Sequence, residues 1–192
     1  MKKVGLALGS GGARGYSHIG VIKFLQKHGI EISYVAGTSI GSAVGAYFAL
    51  NGNVTGLEKI STAIRKPDLL KLVELNDPRR SLIKTHKIRA FLETVYNGKS
   101  FSDTKIPFKA IATNLVTGKR VVFSKGKLSS AVIASSTFPG VFPVVEYRSM
   151  HLVDGGLAEA MPIRLVEEMG ADVIIGVDLY WKDYYRYDRN VS

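Results

Sequence analysis

Hydrophobic positions along this chain alternate between two kinds of run. Residues 4–8, Val-Gly-Leu-Ala-Leu, form the short apolar stretch that a buried strand needs. A glycine-rich segment, 9–15, follows. A helical pattern from about 17 to 28 then carries Ile19, Val21, Ile22 and Leu25, with Gly29 placed to stop it. Residues 32–36 read as a second strand. Residues 40–50 read as an apolar, small-residue helix that ends near Asn51-Gly52. Strand, glycine loop, helix, strand, sharp turn, helix is the grammar of a parallel sheet with helices on its faces.

The second half repeats the alternation less regularly. Residues 55–97 are mostly helical in period, more polar, and interrupted by Pro67 and Pro78. They predict a side elaboration over the carboxyl edge of the sheet. Residues 108–114 read as a strand, Gly118 turns the chain, and Arg120 to Phe123 returns as a hairpin partner. A short helix spans about 128–135. Phe138-Pro139-Gly140-Val141-Phe142-Pro143 is an apolar, proline-bound loop. Residues 150–153 lead as a strand into Asp154-Gly155-Gly156. A helix from about 162 to 169 stops at Gly170, and residues 173–177 form a last buried strand. The expected fold is one α/β domain over 1–192, with a mainly parallel central sheet in a three-layer α/β/α arrangement.

Composition supports an ordinary globular chain. Of 192 residues, 46% are hydrophobic and 22% charged, enough for a sizeable core. Cysteine is absent, which excludes a disulfide framework and a cysteine zinc site and fits a reducing compartment. Residues 4–8 are too short for a signal peptide. The longest apolar segment, 40–50, is about half of the ~20 residues a membrane span needs. The expected location is therefore cytoplasmic, with peripheral contact at the inner face of the membrane as a further option. The net charge of +10 concentrates between Lys59 and Lys105, and includes Lys66, Lys71, Arg79, Arg80, Lys84, Lys87, Arg89 and Lys99. Such a stretch is either a solvated surface or one that attracts an anionic lipid face. No nucleic-acid motif accompanies it, so nucleic acid is not an expected partner.

Three segments carry candidate chemistry. Gly37-Thr38-Ser39-Ile40-Gly41 matches the Gly-x-Ser-x-Gly elbow, a serine on a tight strand-to-helix turn flanked by glycines. The ordinary use of such a serine is as a helix N-cap. The usual triad order on this elbow is serine, acid, histidine. Here His18, His28, His86 and His151 all precede the best acid candidate, Asp154, so the base for Ser39 is expected to be something other than histidine. Gly9 to Gly15 presents backbone N–H groups at a helix start. It fits neither the dinucleotide nor the P-loop pattern, because Arg14 stands where glycine is required and no Gly-Lys-Ser/Thr follows. Gly11 and Gly12 could instead hold an oxyanion, together with the N–H of Ile40, and Arg14 could anchor the loop. Asp154 ends a strand at the sheet edge where open α/β folds place their sites. His18, His151 and Asp178 are better read as structural. No metal-ligand spacing exists, and neither a metal nor an organic cofactor is expected.

Taken together these segments resemble the patatin-like phospholipases, in particular compact bacterial-type members, from Val4 to about Leu179. Gly11-Gly12-Ala13-Arg14-Gly15, Gly37-Thr38-Ser39-Ile40-Gly41, Ala134-Ser135-Ser136-Thr137-Phe138-Pro139 and Asp154-Gly155-Gly156 match the family's boxes in order. The resemblance implies a Ser39–Asp154 dyad, a glycine-loop oxyanion hole supported by Arg14 and Gly15, and hydrolysis of lipid acyl esters. One departure is Leu157-Ala158-Glu159-Ala160-Met161-Pro162, where many relatives carry an asparagine. Phe138, Val141 and Phe142 are candidates for an acyl-chain wall. The aromatic, basic tail from Tyr180 onward could dock on the body, pair with another copy or sit at a lipid interface. Two other functions remain open. One is an acyltransferase, with His86 or His151 as base. The other is a non-catalytic lipid- or partner-binding protein that uses the basic segment. Oligomeric state is not readable.

Overall fold

The computed structural model describes residues 2–57, 59 and 86–180. Most of the basic elaboration expected over 55–100, and the tail from 181 to 192, lie outside the described residues.

β1 (Val4–Leu8) runs into a 3-10 turn (Gly12–Gly15) and α1 (Tyr16–Lys27). β2 (Ile32–Thr38) leads through Ser39 into α2 (Ile40–Asn51). Gly52 ends α2 in the left-handed conformation, at φ 75°, and donates its N–H to the Phe48 carbonyl. After α3 (His86–Val95) come β3 (Phe108–Asn114), β4 (Arg120–Phe123) and α4 (Leu128–Ser135). β5 (Val145–Tyr147) and β6 (Met150–Asp154) form a hairpin. The short α5 (Gly156–Glu159), α6 (Ile163–Glu168) and β7 (Val173–Val177) complete the order.

The seven strands form one mixed sheet linked by the pairings β5-β6, β6-β3, β3-β2, β2-β1 and β1-β7, with β4 also paired to β3. β3, β2, β1 and β7 make a contiguous parallel block. β4 and β6 pair antiparallel to β3. Side chains leave the two faces alternately, as strand geometry requires. Leu6, Leu8, Val35, Phe108 and Ala110 pack with residues of α1, α2 and α4. Ala7, Ala36 and Ile111 pack on the opposite face against Leu165 and Val166 of α6. Helices therefore cover both faces, giving three layers. Each large side chain so buried contributes about 1.5–3 kcal/mol.

One feature of the topology builds the site. β3 has two edges but three partners. β4 pairs with Ala110–Thr113 and overlaps both other partners in register, so it occupies one edge alone. β2 and β6 must share the other. β2 runs parallel to β3 and reaches Thr38 opposite Ile111; β6 runs antiparallel and reaches Asp154 opposite Ala112. The carboxyl ends of two strands thus meet head to head on one edge of β3.

Candidate active site

Ser39 follows the end of β2, and Asp154 ends β6. The meeting of those strands brings Ser39 Oγ within 2.6 Å of Asp154 Oδ2, to which it donates a hydrogen bond. Ser39 lies at φ 54°, a region that costs a non-glycine residue about 1–3 kcal/mol and persists only where its surroundings impose it. Here they do. The Ser39 N–H donates to Ser135 Oγ at 2.8 Å. The Ser39 carbonyl accepts from the Ser42 N–H at 2.8 Å and from the Ser42 hydroxyl at 2.6 Å. Gly37 and Gly41 permit the fold-back. A Cβ on Gly37 would lie 2.4 Å from the Gly41 carbonyl oxygen, and one on Gly41 would lie 2.1 Å from that of Leu8.

Asp154 is 7% exposed and fully engaged. Its Oδ1 accepts the Gly156 N–H at 2.7 Å, its N–H donates to the Thr137 carbonyl at 2.7 Å, and its carbonyl accepts the Thr113 hydroxyl at 2.8 Å. Ser135 also links the two halves, because its carbonyl accepts the Gly155 N–H at 3.0 Å while its hydroxyl holds Ser39. Burial pushes the Asp154 carboxyl above its ordinary value of 3.8, against the smaller opposing pull of the Ser39 and Gly156 hydrogen bonds. A raised carboxylate is a stronger proton acceptor. Only the ionised form can take the Ser39 proton, so with Asp154 as base activity is expected to be lost as pH falls through the raised value. The acid limb of kcat/KM for a soluble ester should therefore have its midpoint above the ordinary value of 3.8. A limb centred at or below that ordinary value would contradict this assignment.

The glycine loop forms the opposite wall. Gly11 and Gly12 border the same cleft as Ser39, Ile40 and Asp154, a space of about 800 Å³. Gly12 adopts φ 54°. Gly15 sits so close to Ile40 that a Cβ would fall 2.1 Å from its Cγ1, which seats the loop against the elbow. Arg14 donates from Nη1 to the Leu179 carbonyl at 2.9 Å, and its guanidinium lies 5.4 Å from the Tyr180 ring centre. These contacts tie the loop to the segment after β7. Phe138 and Phe142 border the cleft as well; Val141 is not among the described residues that do.

The histidines are placed elsewhere. His18 is fully buried, and its Nε2–H donates to the Gly9 carbonyl at 2.8 Å. Burial lowers its pKa, which keeps the ring neutral. His151 is exposed on β6 opposite Glu146. Among the described residues no three His, Asp or Glu side chains gather to hold a metal ion.

Several positioning residues had no signal in the sequence. The Thr38 hydroxyl donates to the Glu159 carbonyl at 3.0 Å, and the Ser10 N–H donates to that of Ala160 at 2.9 Å. α5 thereby ties the Asp154 turn to both the elbow and the glycine loop. The Glu159 carboxylate is in turn paired with Arg120 of β4 at 2.9 Å, and Arg120 also bonds Glu168 of α6. Glu159 stands in the stretch where the sequence departs from its resemblance.

A family model described as patatin-like phospholipase matches residues 6–166, most of the chain. The chain belongs to the patatin-like phospholipase family. An uncharacterized NTE family protein of Mycobacterium bovis is 34% identical over 177 residues, which are 92% of this chain and 49% of that protein. Lysophospholipase NTE1 of Debaryomyces hansenii is 30% identical over 186 residues, 93% of this chain and 12% of that protein. This patatin-like chain thus spans about half the length of the mycobacterial relative and about an eighth of the yeast one. Among solved structures, VipD from Legionella pneumophila superposes with a TM-score of 0.57 at 13% identity, covering 82% of this chain and 46% of that one. ExoU, solved in complex with SpcU from Pseudomonas aeruginosa, gives 0.52 at 18% identity, covering 72% and 39%. These two likenesses show the patatin fold.

Proposed function

We propose that this patatin-like chain is a serine acyl hydrolase that cleaves the acyl esters of lysophospholipids or related lipids. The observation that carries this reading is the 2.6 Å hydrogen bond from Ser39 Oγ to the buried Asp154 carboxylate, at a cleft that the glycine loop also borders. The yeast relatives named lysophospholipases support the substrate class.

In this mechanism Asp154 takes the Ser39 proton as Oγ attacks the ester carbonyl carbon. The oxyanion that forms is held by the N–H groups of Gly11, Gly12 and Ile40, the last at the N-terminus of α2, where the helix dipole favours negative charge. As the carbon–oxygen bond of the ester breaks, the proton on Asp154 passes to the leaving alkoxide. An acyl-Ser39 remains. Asp154 then deprotonates a water that attacks the acyl carbon, and the proton returns to Ser39 Oγ as the fatty acid leaves. Arg14 and Gly15 keep the loop seated through Leu179 and Ile40.

Contact with an anionic membrane surface belongs to the same reading. Phe138 and Leu157, at 55% and 57% exposure, stand at the cleft, and the net charge of +10 favours an anionic bilayer. No helix among the described residues is long and apolar enough to cross a membrane. The test is a fluorophosphonate probe together with fatty-acid release from a lysophospholipid. Covalent labelling that the lipid slows, with fatty acid released, is the expected outcome. A protein that binds vesicles but neither labels nor releases fatty acid would instead be a lipid-binding module.

A further inference from the structure

A second, partly open cavity of about 160 Å³ adjoins the catalytic cleft. α2 contributes Ala43, α3 contributes Ile88 and Leu92, and α4 contributes Val132 and Ile133. Its wall includes Thr137, but that hydroxyl is already spent on the Ile133 carbonyl at 2.6 Å, so the named surface is almost wholly apolar. A lining of this kind suits a short stretch of hydrocarbon.

The two cavities share Ser136 and Phe142. Ser136 caps the end of α4. Phe142 is half-buried, and its N–H donates to the Phe138 carbonyl at 3.1 Å across a turn that Gly140 makes at φ 81°. Phe142 therefore borders both spaces, while the more exposed Phe138 borders the catalytic one.

We propose that Phe142 governs the length of acyl chain this protein accepts, with the second cavity receiving the terminal carbons. The proposal rests on the acyl-ester reading above and goes beyond it by assigning a chain-length determinant. A chain attached at Ser39 runs along the apolar wall past Phe138, and its end passes Phe142 to lie between α2, α3 and α4. Each methylene removed from water strengthens binding about four-fold, so a few carbons added to or excluded from this space change selectivity measurably.

The experiment compares kcat/KM for p-nitrophenyl esters of four and twelve carbons, as a ratio within each variant. Phe142→Ala removes the partition and should raise the long-to-short ratio about ten-fold or more, with the preferred length moving up. Ala43→Leu fills the second cavity from the far side and should lower the ratio by a similar factor. Should Phe142→Ala fail to fold, Phe142→Leu applies the same test with a smaller change in volume. Folded variants whose ratios stay within about two-fold of wild type would overturn the proposal and leave the acyl-ester reading standing. A wild type that cleaves neither ester would overturn both.

Discussion

Ser39→Ala and Asp154→Asn are each expected to lower kcat/KM for a lipid or short-chain ester by at least ~10⁴-fold. That corresponds to about 5 kcal/mol of transition-state stabilisation at 1.36 kcal/mol per factor of ten. In a serine protease the nucleophile alone is worth about 10⁶ and its acid partner about 10⁴, so the size is ordinary for groups that act as a unit. The two losses should not add. Once Oγ is gone, a base beside it has nothing to deprotonate, so the double variant should resemble the single ones. Neither change should unfold the protein. Ser39→Ala keeps the same strained φ of 54° and loses no backbone bond. Asp154→Asn removes a buried charge. Because the Asp154 pKa is raised in the folded state, that residue favours folding most at low pH, and its contribution declines as pH rises through the raised value. At neutral pH the asparagine variant should be at least as stable as wild type. Kinetics and thermal melts on the same samples decide the matter. A variant that keeps more than a tenth of wild-type activity would remove that residue from the chemistry.

Gly41→Ala and Gly155→Ala should be the most damaging single-methyl changes to stability. The new Cβ would sit 2.1 Å from the Leu8 carbonyl oxygen in the first case and 2.1 Å from that of Ile111 in the second. Both obstacles are backbone of central strands and cannot rotate away. Neither glycine has a positive φ, so the penalty is contact and not conformation. Forcing such overlap in a packed core should cost about 3 kcal/mol or more, at the upper end for overpacking. At about 2–4 °C per kcal/mol for a chain of this size, the melting temperature should fall by about 6–12 °C. Gly20→Ala is the contrasting change. Gly20 lies inside α1 with open space where the Cβ would go, so alanine should raise stability by about 0.5–1 kcal/mol. Equal melting temperatures for Gly41→Ala and Gly20→Ala would show that the helix does not cross β1 as closely as described.

Much of the site was legible in the sequence because its parts are local. Gly37 is required by the elbow itself, since its Cβ would meet the Gly41 carbonyl, whereas Gly41 carries a local signature but is required by a strand outside the elbow, the Leu8 carbonyl of β1. The glycine loop carries its own signature in the same way. The positioning residues left no such trace. Arg120 and Glu159 stand 39 positions apart and belong to elements with unremarkable patterns, yet their ion pair steadies the turn after Asp154. Ser135 stands in a segment that resembles a family box, but its local pattern is that of the last residue of an apolar helix and does not show that its hydroxyl accepts the Ser39 N–H.

The hydrophobic periods determined most of the described strands and helices, since a period of two or of 3.6 is a property of neighbours in the chain, but not the three-residue β5 or the four-residue α5, which are too short to show a period. The elbow motif and the strand-end position led to Ser39 and Asp154 as separate candidates. Only the tertiary structure decided that β6 runs antiparallel to β3 and meets β2 head to head, because strand direction depends on what each edge has left to pair. It also decided that Phe142 borders two cavities, since a shared wall exists only once α2, α3 and α4 are packed around it. Residues 115 positions apart come within 2.6 Å of each other because β3 has one free edge and two strand ends must share it.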